Sequence, residues 1–165
     1  MTLPGNELQN DPTENPCFGC GPTNPIGLHL RFFDDGKVLR CELTPRPELV
    51  GLPGKWNAGI VMMAAIEVAN WVAWERIGPF TDVGPVASEW LALASLADPI
   101  VLEGKVTNEG QKTCLEAVAL QKDQIIVRAR REVRAITPEE AREWLTLPGI
   151  PTSLRNDVEA RASGK

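Results

Sequence analysis

Residues Gly54 to Arg76 read GKWNAGIVMMAAIEVANWVAWER. The run has the length of a helix, contains no β-branched cluster, and is stopped by the glycines and prolines of RIGPFTDVGP, 76–85. Apolar residues fall on nearly every side of it, and a helix that is apolar all round has to be buried all round. Glu67 and Asn70 interrupt the apolar stretch, which is shorter than a typical membrane span. The expectation is a core helix with a single carboxylate, Glu67, in its middle.

The flanking sequence supplies what would cover such a helix. Leu28, Leu30 and Phe32 alternate with His29, Arg31 and Phe33, the turn DDGK follows, and Leu39, Cys41 and Leu43 alternate with Arg40 and Glu42. This predicts a β-hairpin. After the helix, VASEWLALASLADP reads as a strand, and IVLEGKVTN, KTCLEAVAL and IIVRARREVRAI read as a meander with turns at NEGQ and QKDQ. The alternation slips at Arg130–Arg131, where a bulge is expected. TPEEAREWL carries a helix start, with Thr137 as N-cap, Pro138 in the first turn and Glu140 completing a capping box. The tail from Pro148 has weak periodicity. These elements predict an α+β hotdog fold, a curved antiparallel sheet wrapped around one long central helix, with an extra C-terminal helix. The divisions are an N-terminal arm 1–16, a hotdog domain 17–136, and a C-terminal helix and tail 137–165.

The chain has 165 residues, 43% hydrophobic and 24% charged, which suits one globular domain with a real core. Its net charge of -5 speaks against a nucleic-acid partner. The opening MTLPGNELQNDPTENP has no apolar h-region, so a cytoplasmic protein with no membrane partner is expected, with its four cysteines as free thiols.

The segment CFGCGPTNPIGLHLRF, 17–32, resembles the N-terminal signature of the phenylacetyl-CoA-thioesterase-like branch of the hotdog-fold acyl-CoA thioesterases. That signature joins Cys-x-x-Cys-Gly, Asn-Pro and Gly-Leu ahead of the first strand. The stretch LVGLPGKWNAGIVMMAAIEVANW resembles the family's loop, His-Gly-Gly turn and helix, and the likeness runs from about Cys17 to Ile136. The resemblance implies hydrolysis of a small or aromatic acyl-CoA at a subunit interface, in a homodimer or dimer of dimers. CoA would enter as part of the substrate, with no separate cofactor. The chain departs from the pattern at two places. Asn57-Ala58-Gly59 replaces His-Gly-Gly, and the family's catalytic acid position falls on Ile66, with Glu67 one residue, about 100° of helix, beyond it.

On this resemblance, backbone N–H groups around Ala58 and Gly59 would hold the thioester oxygen at the positive end of the helix. Asn57 would cap the helix or bond the substrate. Glu67, with a pKa expected to rise through desolvation, would act as general base; the alternative is a structural carboxylate paired across a dimer or with Asn70. Trp56 would narrow the pocket mouth, and Ser88 falls where relatives place a site-facing hydroxyl. Arg128 and Arg130, in a stripe with Arg131 and Arg134, are candidates for CoA phosphates; the alternative is a solvated strand face balanced by Glu116 and Glu132. Cys17 and Cys20 form a C-x-x-C, but no second one exists, and alternation places Cys41 and His29 on different faces. No metal is therefore expected, and the thiols read as small hydrophobes in a loop shaped by glycine and proline. A hotdog protein that binds acyl-CoA or another apolar ligand without hydrolysing it is the competing reading. A dehydratase would want a catalytic histidine, and the single histidine, His29, is predicted on the outer sheet face.

Overall fold

The computed structural model describes residues 3–10, 13–78, 81, 84–109, 112–146 and 152–162. The strands are β1 (Asn6–Glu7), β2 (Phe32–Asp34), β3 (Leu39–Leu43), β4 (Val86–Trp90), β5 (Ile100–Glu109), β6 (Lys112–Gln121) and β7 (Gln124–Val133). The helices are α1 (Ala58–Arg76), α2 (Pro138–Leu145) and α3 (Thr152–Ala162). All seven strands form one antiparallel sheet in the order β1-β2-β3-β5-β6-β7-β4. Helix α1 packs against β3, β5, β6, β7 and β4, so the sheet wraps the helix.

The helix starts as the sequence indicates. Asn57 has extended backbone angles, and its Oδ1 accepts from the Gly59 and Ile60 amides at 2.9 and 3.4 Å. Val61, Ala64, Ala65, Val68, Ala69, Val72 and Ala73 are buried. By length and composition α1 passes for a membrane span; here this face lies on the sheet. The sheet meets it with small residues, since Gly104, Ala117, Ala129 and Ser88 lie side by side across β5, β6, β7 and β4. At its far end Arg76 donates to Asp34 at 2.6 Å, and Trp71 stacks on Phe32 with ring centroids 4.5 Å apart.

Three local expectations are revised. The first strand begins at Phe32, because Leu28 and Leu30 donate to the carbonyls of Phe18 and Gly19 instead of joining the ladder, and His29 takes a left-handed φ of 54°. The predicted strand at VASEWLALASLADP ends at Trp90. Past it the chain leaves the sheet and pairs with the lead-in to α1, through Trp56 N–H to the Ala94 carbonyl (3.1 Å) and Leu96 N–H to the Gly54 carbonyl (3.0 Å).

The bulge lies at Ile126 instead of Arg130–Arg131. Ala119 faces Val127 while Leu120 faces Ile125, so Ile126 is the extra residue. Its carbonyl accepts from Leu91 and Ala92, holding the segment that departs from β4. Val127, Ala129, Arg131 and Val133 then alternate inward without a slip, and Arg131 is 8% exposed.

The capping box at Thr137 forms in full: Glu140 accepts from the Thr137 amide at 2.6 Å, and Thr137 Oγ1 accepts from the Glu140 amide at 3.2 Å. The tail adds a helix that its weak periodicity did not announce, α3, whose Thr152 amide donates to Glu14 at 3.0 Å. Ala141, Leu145 and Val158 make a small core between α2 and α3.

Candidate functional site

Two places on α1 carry chemistry, and they lie apart. The first is its N-terminus. Ala58 and Gly59 are exposed there. Asn57 already occupies the Gly59 and Ile60 amides, while the Ala58 amide has no partner among the described residues. A helix end of this kind offers N–H donors and a positive dipole end to an oxygen that gains charge. Trp56, ahead of it, is 2% exposed and donates its indole N–H to the Asp98 carbonyl at 3.1 Å. It anchors the loop from beneath, and Gln121 holds the same segment through Ser95 and Asp98. Val50, Leu52, Leu91 and Leu93 in the neighbouring segments remain exposed.

The second place is Glu67, eight residues beyond Gly59 and hence about 12 Å further along the helix axis. Its side chain turns toward the Cys17–Cys20 loop. Cys17 Sγ stands 3.6 Å from Glu67 Oε1, and Asn70 Nδ2 donates to Oε2 at 3.5 Å. The inward Arg131 of β7 bonds Asn70 in turn. The loop presses close, for a Cβ on Gly19 would stand 2.8 Å from Glu67 Cγ. Arg131 is a site residue that sequence reading assigned to the basic stripe. The signal for its inward position was the alternation Val127, Ala129, Arg131, Val133, with the bulge placed before it.

The two thiols are inequivalent. Hydrogen bonding from Cys20 lowers Cys17 to about 6, against the opposing effects of burial and the Glu67 charge. Cys20 is pushed up, first because its thiol bonds Cys17 and then by burial and by Glu67. Burial raises Cys41 as well. Cys17 is also the half-buried one, while Cys20, Cys41 and Cys114 are buried. In reduced, metal-free protein, iodoacetamide is therefore expected to label Cys17 first. The thiolate is the nucleophile, so the rate rises with pH and levels off above about 6. Peptide mapping after brief labelling checks this; an inflection near the ordinary thiol value would contradict it.

The remaining candidates fall on two faces. Ser88 pairs with Ala129 and lies on the helix side of the sheet. Arg128 and Arg130 are on the outer side, where Arg130 pairs with Glu116 at 3.2 Å and Arg128 approaches Glu89 at 3.9 Å. A hollow of about 410 Å³ at the β1–β2 edge is bordered by Gly5, Asn6, Leu8, Asp34, Asp35 and Gly36. Its acidic rim does not suit an anionic ligand, and it adjoins neither place on α1.

No protein-family model and no curated protein matches the sequence. Solved structures do. A thioesterase superfamily protein, RHA08564, superposes with a TM-score of 0.60 at 19% identity over 69% of this chain, which spans 60% of that protein's length. The fold is the hotdog fold. A mutant thioesterase from Pseudomonas aeruginosa matches the hotdog at a TM-score of 0.55 and 17% identity, covering 67% of this chain and 84% of its own. A phenylacetic acid degradation-related protein from Ralstonia eutropha matches at 0.56 and 10% identity, with 66% and 86% covered.

Proposed function

We propose that this hotdog protein hydrolyses an acyl-CoA thioester with a small or aromatic acyl group, at an interface between two copies of the chain. The observation that carries the reading is the exposed, small-residue N-terminus of α1 with its open Ala58 amide, set beside the exposed apolar Val50, Leu52, Leu91 and Leu93. There the carbonyl oxygen accepts from the helix end as it gains negative charge, and Asn57 acts by fixing the geometry of that end.

A base must reach the same carbonyl. Within one chain Glu67 is too far along the helix to do so. Two copies related by a two-fold axis, with their α1 helices antiparallel, bring the N-terminus of one beside the middle of the other. Strand β4 supports such a pairing. It is a sheet edge, and Val86 is exposed on it, as are Leu91 and Leu93 just beyond. Ser88, on the helix side of that strand, is then a substrate contact. Arg128 and Arg130 serve the CoA phosphates only by exchanging their glutamate partners, which makes them peripheral. The setting is cytoplasmic, where acyl-CoA is available.

The test is incubation with a panel of acyl-CoAs, measuring free CoA chromatographically, alongside light scattering for mass. Release of CoA by a dimer or tetramer is expected. Saturable binding without release would replace hydrolysis with ligand carriage, a result that Ile66 at the family's acid position would then explain.

A further inference from the structure

We infer that Cys17, Cys20 and Glu67 form a binding site for one divalent ion of the zinc type, pinning the N-terminal loop to the middle of α1. The two sulfurs and the carboxylate oxygen all lie within 4.8 Å of one another. Cys17 Sγ and Glu67 Oε1 are 3.6 Å apart. Zinc bonds of about 2.3 Å to sulfur and about 2.0 Å to oxygen, at a tetrahedral angle, set such a pair about 3.5 Å apart. The donors therefore already stand at the spacing of one coordination edge.

The surroundings are those of ligands held in place. Asn15 Nδ2 donates to Cys20 Sγ at 3.6 Å, and Asn70 takes Glu67 Oε2, leaving Oε1 directed at the thiols. Arg131 holds Asn70. Partners of this kind orient metal ligands from behind. The loop backbone is clamped at both ends: Cys17 donates to Asn15 Oδ1 at 3.0 Å, Gly21 donates to the Cys17 carbonyl at 2.9 Å, and Leu30 donates to the Gly19 carbonyl at 3.0 Å. A preformed loop loses little freedom when it binds an ion.

Charge and softness choose the ion. Two thiolates and a carboxylate brought together carry three negative charges, which burial penalises unless a cation offsets them. A divalent ion offsets two of them, and the Arg131 guanidinium stands behind Asn70. Thiolate donors select zinc over calcium or magnesium. Three protein ligands leave a fourth position for water, and Cys17 is half-buried, so solvent reaches that side. This goes beyond the thioesterase reading and deepens the part given there to Glu67. With an ion bound, Glu67 would be one of its ligands instead of a free base, and the chemistry the ion would supply is the activation of water.

Metal-free, reduced protein is titrated with zinc against a chromogenic chelator. One equivalent per chain is expected, and cobalt(II) should give the thiolate charge-transfer band of a tetrahedral site. Cys17→Ser and Glu67→Gln, checked for folding by circular dichroism, should each weaken zinc at least about tenfold; Asn70→Ala should weaken it about tenfold through the loss of orientation. Cys114→Ser should leave it unchanged. In the wild type, zinc should protect Cys17 from iodoacetamide and calcium should not, a readout that needs no variant. Substoichiometric zinc, or equal labelling of Cys17 with and without it, overturns the site. Neither measurement uses an acyl-CoA, so the metal site and the thioesterase reading fail separately.

Discussion

Glu67→Gln is expected to lower kcat for acyl-CoA hydrolysis by at least about a hundredfold at neutral pH, the range set by removing a positioned general base. Gln has the shape of Glu, and Glu67 sits half-buried on a helix held by the sheet on its other side, so the fold should survive. The thermal transition checks that. Two routes lead to the same loss. If Glu67 itself takes the proton from water, Cys17→Ser leaves turnover near that of the wild type, because no thiol takes part. If the ion's water is the nucleophile, Cys17→Ser falls with Glu67→Gln, and added zinc restores neither. Unchanged turnover in Glu67→Gln would remove Glu67 from the chemistry and leave the helix end acting alone.

The helix that holds Glu67 was readable because its information is local. An apolar run with Asn57 ahead of it and glycine and proline behind it specifies an element, a start and a stop without any tertiary knowledge. The same holds for the Thr137 capping box. Of what surrounds Glu67, the Asn70 contact was readable, since the two lie three residues apart on one helix face; the rest was not, because it is brought together from segments far apart in the chain. Cys17 is fifty residues from Glu67 in sequence, and nothing in either segment marks the other. A carboxylate on a distant helix forms no part of the C-x-x-C spacing that marks the two thiols in the sequence. Arg131 shows a different failure. Its inward position follows from strand alternation once the extra residue is placed at Ile126, but two adjacent arginines drew the bulge to themselves. The early end of β4 has the same cause, since Leu91 and Ala92 are held by the carbonyl that this bulge presents.

Gly104→Val is expected to be the most damaging change to the fold. A Cβ at Gly104 would stand 2.5 Å from Val68 Cγ1 and 2.9 Å from Val72 Cγ2, where carbon atoms in contact sit at about 3.5–4.0 Å. Both valines are on the buried face of α1, and the strand is central in the sheet, so neither side has free space to move into. Overpacking by one methyl typically costs about 1–3 kcal/mol. Gly104→Ala should therefore lower Tm by several degrees at fixed protein concentration, by the usual scale of about 2–4 °C per kcal/mol for a chain of this size. Valine adds two branches at the same point and should exceed that, or prevent folding. The mechanism predicts its own rescue. Val68→Ala removes the atom in the way, so the pair Gly104→Ala with Val68→Ala should be more stable than the sum of the two single effects, a coupling of about 0.5–3 kcal/mol. Strict additivity would mean that the helix does not rest on Gly104. The consequence reaches the site, because Asn57, Glu67 and Asn70 are carried on the same rigid helix. A helix lifted from the sheet at Val68 also moves the carboxylate of Glu67, the preceding residue, against the Cys17–Cys20 loop.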